Sequence, residues 1–138
     1  MNITYREGGA LDIDQLLRLY EQAPWARGRT KDGVATMLAH TDYFFTAWDG
    51  PCLVAFARVL TDRVYRATLW DVVVDAEYQG RGVGEALIGI ILSHPVLSTV
   101  EKFWLNTRDK QKFYERFGFV PSSQGMVREA PRRAPGEG

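Results

Sequence analysis

The sequence predicts an α/β fold, an α+β arrangement around one mixed sheet. Two observations favour this fold class. Three strand-like segments follow one another directly between Asp42 and Asp75 and are separated only by short turns, as in an antiparallel sheet. After them, helix-like and strand-like segments alternate, which favours a parallel crossover. The predicted element order is β-α-α-β-β-β-α-β-α-β.

The N-terminal part predicts one strand and two helices. Residues Ile3–Glu7 alternate between apolar and polar side chains, which indicates a strand. An apolar helical face begins at Leu11, with Asp12 or Asp14 in its first turn, and Pro24 ends that helix. Thr30 or Asp32 caps a second helix that runs to about His40.

The middle of the chain predicts three strands in succession. Residues 42–48 form the first, and the pair Asp49-Gly50 is a hairpin turn signal before a second strand over residues 51–61. The third runs from Tyr65 to Asp75. Its unbroken apolar run, Val72 to Val74, indicates burial on both faces of the sheet.

The C-terminal part predicts a helix over Val83–Leu92 and a strand over Glu101–Thr107. Asp109 is expected to cap a last helix that Gly118 ends. Further strands are predicted at residues 119–120 and 126–129. We expect one domain over residues 1–130, followed by a disordered tail at 131–138 that is rich in Pro, Gly and charge.

Composition narrows the class of protein. The 138 residues carry 17 basic and 17 acidic side chains, which gives no reason to expect a nucleic-acid partner. Cys52 is the only cysteine, so no intrachain disulfide and no Cys-rich zinc site is expected, and no metal is predicted. The sequence has no signal-peptide pattern and no apolar run of about 18 residues, so we expect a cytoplasmic protein that does not enter a membrane.

The stretch from Trp70 to Leu92 holds the main functional signal. Gly80, Gly82 and Gly84 alternate with other residues where the helix begins. Free backbone N–H groups and the positive end of the helix dipole predict an anion site there, most naturally for phosphate. The spacing fits neither a Walker A nor a Rossmann motif, since Glu85 follows Gly84. The alternative is a tight strand-to-helix turn with no ligand.

The pattern Gln79-Gly80-Arg81-Gly82-Val83-Gly84 resembles the first signature of the GNAT N-acetyltransferases. The segment KFYERFGF, residues 112–119, resembles the second signature of the same family. Together they cover residues 65–120. The resemblance implies a sheet that splays between its fourth and fifth strands, with acetyl-CoA bound in the splay.

The resemblance also implies which residues bind the cofactor. Backbone N–H groups from Gln79 to Glu85 would hold the pyrophosphate, with help from the charge of Arg81. The backbone of Val72–Val74 would pair with the pantetheine, and one N–H near Val73 or Val74 would face the thioester carbonyl. The implied set is Val72, Val73, Val74, Gln79, Gly80, Arg81, Gly82, Val83, Gly84 and Glu85, with Asn106 or Thr107 near the position where relatives carry an asparagine.

Two residues are candidates for the chemistry. Tyr114 matches the family's tyrosine and would protonate the departing thiolate, although it could instead only pack its helix onto the sheet. Asp71 shares a strand face with Val73 and is the candidate general base. The alternative for Asp71 is an ion pair with an arginine such as Arg66.

The acceptor site is predicted at the first helices and their loop. Its candidate residues are Trp25, Arg27, Arg29, Tyr43, Phe44 and Trp70. This aromatic wall suits a small primary amine, and the run from Trp70 to Leu87 looks like that of plant and cyanobacterial acetyltransferases that act on aromatic amines such as serotonin. A protein lysine or N-terminal acetyltransferase and a non-catalytic CoA-sensing module are the alternatives. A homodimer is also expected, from the surplus of aromatic residues Phe44, Phe45, Trp48 and Trp104.

Overall fold

The computed structural model describes residues 2–131, so Met1 and residues 132–138 lie outside it. The chain forms two compact units, one ending at Asn106 and one beginning at Thr107. The predicted disordered tail lies outside the described residues except for Pro131. No helix among the described residues has both the length and the apolar character needed to cross a membrane.

The first unit contains one mixed sheet and three α-helices. Its elements are β1 (Ile3–Glu7), α1 (Ile13–Glu21), α2 (Lys31–Ala39), β2 (Tyr43–Asp49), β3 (Cys52–Thr61), β4 (Arg66–Val74), α3 (Val83–Leu92) and β5 (Lys102–Leu105). The sheet order is β1-β2-β3-β4-β5, with antiparallel pairing from β1 to β4 and parallel pairing of β4 with β5. The predicted fold class is therefore confirmed, including the parallel crossover around α3.

Side chains cap the starts of α1 and α2, on either side of the connection that carries several predicted acceptor residues. Asp12 accepts a hydrogen bond from the Asp14 N–H at 3.0 Å and caps α1. Thr30 accepts one from the Gly33 N–H at 3.0 Å and caps α2. Each cap satisfies a backbone donor that the helix leaves without an intrahelical partner. Thr30 thus fixes the end of the connection that runs from residue 22 to residue 30.

The two faces of the sheet carry different helices. The front face packs against α1 and α2, and its buried core includes Leu16, Leu19, Tyr20, Val34, Trp48, Leu53, Phe56 and Val73. On the back face α3 contacts β2, β3 and β4. Phe45 and Trp48 are buried in these cores and Phe44 is partly buried, whereas Trp104 is 40% exposed, so of the four aromatics expected at the surface only Trp104 lies there. The homodimer stays a prediction.

The sheet splays where β4 leaves β5. Parallel pairing joins Arg66–Leu69 to Lys102–Leu105 and stops there. β4 continues to Val74, still paired with β3. Within the described residues, no strand pairs with the other edge of residues 70–74. This open edge leads directly into the glycine turn.

The second unit contains one short helix, α4 (Gln111–Glu115), which Gly118 follows at φ 90°. The predicted cap at Asp109 is wrong, because Thr107 accepts a hydrogen bond from the Lys110 N–H at 3.0 Å and the helix begins later. The strands predicted at residues 119–120 and 126–129 are also wrong, since no described residue after 105 forms a strand. Val120 and Met126 are 81% and 97% exposed, so these short apolar segments have no core to pair against.

Candidate active site

The glycine turn at the start of α3 is built from backbone. Gly80 and Gly82 have φ values of 76° and 82°, a left-handed conformation that side chains other than glycine adopt at a cost. Gly82 is the N-cap residue, and its carbonyl accepts a hydrogen bond from Ala86 at 3.0 Å. A Cβ atom at Gly80 or Gly82 would meet nothing within 4 Å, so the space in front of the turn is open.

The side chains of the turn are arranged around that open space. Val83 is buried and can offer only its backbone to a ligand. The Arg81 guanidinium lies 5.6 Å from the centre of the Tyr78 ring. Gly84 and Glu85 occupy the first turn of α3, where N–H groups lack intrahelical acceptors. The geometry is that of an anion site formed by the helix N-terminus.

Two contacts that the sequence did not reveal hold the turn in place. The Gln22 side chain donates to the Asp75 carboxylate at 3.2 Å and accepts from the Ala76 N–H at 2.8 Å. The Tyr78 hydroxyl donates to the Asp49 carboxylate at 2.5 Å. These bonds tie the turn to the end of α1 and the end of β2. They join residues 29 to 54 positions apart in the chain, a distance at which sequence pattern gives no signal.

The open edge of β4 presents backbone groups beside the turn. The Asp75 N–H donates to the Val54 carbonyl at 2.8 Å, toward β3. Neighbouring residues in an antiparallel ladder point their backbone groups to opposite edges, so those of Val74 face the open edge. There the Gln79 side chain donates to the Val74 carbonyl at 3.0 Å. The Gln79 side chain therefore binds the end of β4.

A β-bulge in β4 shapes the front face. Trp70 pairs with Arg58 and Val73 pairs with Phe56, so Asp71 and Val72 together lie opposite one residue of β3. Asp71 has a φ of 55°, a left-handed conformation that costs about 1 kcal/mol or more for a non-glycine residue. The bulge turns the Asp71 carboxylate into the interior.

Asp71 is the centre of an ion-pair network. Arg29 Nη1 lies 2.6 Å and Arg58 Nε 2.7 Å from the same Asp71 oxygen, Oδ2. Arg29 Nη2 reaches the other oxygen at 3.4 Å, and the Tyr20 hydroxyl donates to Oδ2 at 3.0 Å. We call Tyr20, Arg29, Arg58 and Asp71 the Arg–Asp cluster. The alternative that Asp71 forms an ion pair with an arginine is confirmed, but Arg66 is not the partner, because it pairs with Glu101 at 3.3 Å.

The electrostatics of the cluster keep Asp71 ionised. Burial by itself raises the pKa of the Asp71 carboxyl, but hydrogen bonds and charge from Arg29 and Arg58 outweigh it and hold the pKa below its usual range. Burial and the neighbouring Asp71 raise the pKa of the Tyr20 hydroxyl. Two guanidinium groups and one carboxylate leave the cluster with a formal charge of +1. Asp71 thus has the form that a base needs but a low proton affinity, and its role as general base stays a prediction.

Several predicted acceptor residues meet on the front face. The Arg29 guanidinium lies 4.7 Å from the Tyr20 ring centre and 5.5 Å from that of Trp25. Trp25 is 56% exposed and packs edge-on against Tyr20. Phe44 stacks on Phe56, which in turn contacts Tyr20. Trp70 pairs with Arg58 across the ladder and therefore lies on the same face.

Two predicted acceptor residues lie elsewhere. Tyr43 points to the back face, where its ring centre lies 4.9 Å from that of His94, because adjacent strand residues face opposite sides. Arg27 Nε donates to the Glu21 carbonyl at 3.0 Å and so binds the end of α1. Arg29 is the arginine of this loop that joins the cluster.

The second unit holds Tyr114 in an aromatic environment. The Tyr114 ring contacts Phe113 and Phe119, with centroid distances of 5.0 and 5.9 Å. Burial raises the pKa of the Tyr114 hydroxyl to about 12, so it keeps its proton at neutral pH. The Thr107 hydroxyl accepts the hydrogen bond from the Lys110 N–H already described. Asn106 is exposed at the end of the first unit.

Comparisons with known proteins agree with this geometry. Residues 10–119 match the sequence profile of the Acetyltransferase (GNAT) family. A structure of a protein assigned to the GNAT family from Xanthomonas campestris pv. campestris superposes with a TM-score of 0.80 at 31% identity, covering 93% of this chain and 94% of the other. The fold of a Streptococcus pneumoniae GNAT family protein is also similar, with a TM-score of 0.79 at 23% identity and coverage of 95% and 100%.

Two curated proteins are also similar over most of this chain. The uncharacterised N-acetyltransferase ycf52 of Gracilaria tenuistipitata var. liui is 25% identical, over 91% of this chain and 71% of its own length. The histone acetyltransferase TAP1 of Glycine max is 28% identical, over 90% of this chain. The chain spans only 58% of the length of TAP1, so the activity of that whole protein does not transfer directly.

Proposed function

Because this chain belongs to the GNAT family of N-acetyltransferases, which take acetyl-CoA as acyl donor, we propose that it acetylates a primary amine of a small molecule. The acetyl group would pass directly from the thioester to the amine while both substrates are bound. The observation that carries this proposal is the open edge of β4, which runs without interruption into the glycine turn of α3.

The glycine turn fits the pyrophosphate of the donor. The backbone of residues 79–85 offers N–H groups at a helix N-terminus, and no Cβ atom blocks Gly80 or Gly82. Arg81 would add a charge-assisted hydrogen bond to a phosphate oxygen. The Gln79 side chain would contribute indirectly, by holding the end of β4 through Val74.

The open edge of β4 fits the pantetheine arm. Residues 72–74 would pair with its amides as an added strand would, and the N–H groups of this segment are the candidates to stabilise negative charge on the thioester oxygen. Asn106 or Thr107 would supply a further contact to the donor. The Thr107 hydroxyl already accepts a hydrogen bond from Lys110, which leaves it one acceptor lone pair.

Two side chains would handle the protons. Tyr114 would protonate the departing thiolate, and its pKa of about 12 keeps the required proton in place over the neutral range. Asp71 would take the proton of the amine or position the groups that do so. The ionised state of Asp71 supports the role of a base. The three side chains that donate hydrogen bonds to its carboxylate support the positioning role.

The exposed aromatic rim at Trp25 supports an acceptor with an aromatic body. A protein acetyltransferase is the second candidate, and the similarity to histone acetyltransferase TAP1 favours it. The location in the cytoplasm stays a prediction, since a similar Arabidopsis thaliana protein is named GCN5-related N-acetyltransferase 2, chloroplastic.

A screen for CoA release tests the proposal. Serotonin, tryptamine, polyamines, amino acids and a histone tail peptide would each be incubated with acetyl-CoA and the protein. Release with small amines supports the proposal, and release with the peptide alone supports the second candidate. No release from any acceptor, together with acetyl-CoA binding in calorimetry, would indicate a CoA-sensing module instead.

Replacing Tyr114 by Phe tests the proton donor. Tyr114→Phe is expected to retain acetyl-CoA binding and to lower kcat by about 100-fold, the usual contribution of a general acid. Tyr65→Phe is the matched control, because Tyr65 is an exposed tyrosine in the first unit. Equal rates for the two variants would remove Tyr114 from the mechanism.

A further inference from the structure

The Arg–Asp cluster carries more positive charge than its structural role requires. A single guanidinium would neutralise the Asp71 carboxylate, yet both Arg29 and Arg58 bind it. The Tyr20 hydroxyl also donates to the same carboxylate. The cluster therefore has an uncompensated positive charge beside aromatic rings on the front face.

Donors of both arginines are available to a ligand. Arg29 commits two of the five N–H groups of its guanidinium to Asp71, and its side chain is 32% exposed. Arg58 binds Asp71 through Nε. Among the described residues, every buried side-chain nitrogen has a hydrogen-bond partner. The two Nη groups of Arg58 must therefore border a space that solvent reaches.

The position of the cluster relates it to the proposed site of transfer. Val74 is the residue whose backbone groups face the open edge and would meet the thioester. Asp71 precedes Val74 by three residues on β4, which corresponds to about 10 Å along a strand. A small molecule can bridge that distance, with its amine at the thioester and another group at the guanidinium of Arg29.

We propose that the front face binds an acceptor amine that also carries a carboxylate, and that Arg29 recognises this carboxylate while Trp25 packs against the rest of the molecule. This inference rests on the proposed function, because it names the substrate class for the same site. A planar guanidinium pairs with a carboxylate through two parallel hydrogen bonds, which a simple amine cannot offer. The cluster's positive charge also disfavours an acceptor that brings only an ammonium group.

The test compares acceptors that differ only in the carboxylate. The pairs are 4-(aminomethyl)benzoate with benzylamine, 4-(2-aminoethyl)benzoate with phenethylamine, and γ-aminobutyrate with propylamine. In the wild-type protein, kcat/KM is expected to be at least about tenfold higher for the carboxylate member of one aromatic pair, as one charge-assisted hydrogen bond provides. Preference for the amine without a carboxylate in every pair would overturn the inference.

Two variants assign the preference to Arg29. Arg29→Gln is expected to lower the kcat/KM ratio between the two members of the preferred pair to about one. Arg29→Lys is expected to restore part of that ratio. Arg66→Gln is the matched control, since Arg66 forms an exposed ion pair on the same strand, and it should leave the ratio unchanged. An unchanged ratio in Arg29→Gln, in protein that still binds acetyl-CoA with the affinity of the wild type, would also overturn the inference.

A binding measurement separates this inference from the proposed function. The protein saturated with CoA would be titrated calorimetrically with the carboxylate member and with its partner. Selective binding of the carboxylate member that is lost in Arg29→Gln supports the inference. It does so even if no acceptor is acetylated, and in that case only the proposed function fails. Absence of any selective binding at millimolar ligand overturns the inference, while turnover of the simple amines would leave the proposed function standing.

Discussion

The glycine turn and the Arg–Asp cluster lie on the same strand, but different parts of the chain build them. The turn comes from consecutive residues, Gly80 to Glu85, and presents backbone N–H groups. The cluster collects side chains from α1, from the loop before α2, and from β3 and β4. A site made of backbone groups requires only glycines that adopt a left-handed conformation. The Arg–Asp cluster requires four side chains from different elements to come together.

This difference predicts that the two regions tolerate substitutions differently. The turn depends on the left-handed conformation of Gly80 and Gly82, and its surroundings are open. The cluster depends on charge balance in a buried position, since the Asp71 side chain is only 4% exposed. We therefore expect substitutions in the turn to reduce cofactor binding and substitutions in the cluster to reduce stability.

The largest expected effect is on stability, in the variant Asp71→Asn. Removing the carboxylate leaves Arg29 and Arg58 without their partner in a partly buried position, which should lower the free energy of unfolding by about 3 kcal/mol. Urea unfolding of both proteins measures it. Glu101→Gln is the control, because it breaks the exposed pair with Arg66 and should cost less than about 1 kcal/mol. Equal losses would mean that the cluster has no special role.

The variant Gly82→Val tests the other region. A β-branched residue at φ 82° is strained, and its side chain would fill the open space before α3. Acetyl-CoA affinity should fall by about 100-fold, equivalent to the loss of one or two hydrogen bonds to a charged phosphate. Calorimetry measures the affinity. Gly9→Val, at a comparable φ of 85°, should leave it unchanged, and a similar loss there would show that strain alone is responsible.

The pH dependence of stability should also differ between the two regions. The pKa of Asp71 in the folded chain lies below its unfolded value of about 4, so its contribution is present above that pH and is lost as the pH falls through the folded pKa. The stability difference between the wild type and Asp71→Asn should therefore narrow below about pH 4. The free energy of unfolding of Gly82→Val should differ from that of the wild type by the same amount at every pH in this range. Urea unfolding at several pH values tests both expectations.

The smallest expected effect is that of Gln79→Ala. The lost side chain donates one exposed hydrogen bond to the Val74 carbonyl, so stability should fall by no more than about 1 kcal/mol. Acetyl-CoA affinity should change by less than about fivefold, because the backbone of the turn remains. Gln124→Ala, in the second unit, is the control. A loss as large as that of Gly82→Val would mean that the Gln79 side chain itself binds the cofactor.

The fold was largely predictable because its signals are local. The bounds of α3 agree with the prediction at both ends, since glycines precede an unbroken apolar helix and Pro95 follows it. The strands expected at residues 119–120 and 126–129 failed because a pair of apolar residues says nothing about whether a neighbouring strand exists.

The site was predictable only where it is contiguous. Asp71 and Arg29 were each singled out from the sequence, but their contact, which joins residues 42 positions apart, was not, and neither was Arg58, which lies 13 positions from Asp71. The bulge that turns Asp71 inward is invisible in an uninterrupted strand pattern, because it depends on pairing with β3. Arg27 and Arg29 could not be distinguished by composition, and the geometry of one short loop decides between them.

The bulge in β4 also means that this chain could lose the Arg–Asp cluster through a single deletion. Without Val72, Asp71 would pair with Ala57, while the pairs on either side, Trp70 with Arg58 and Val73 with Phe56, would stay as they are. The carboxylate would then point toward α3, and the two arginines would have no anion to hold them. The same deletion would keep the sheet and the glycine turn, so two proteins of similar length could share this fold and still present different side chains on the front face.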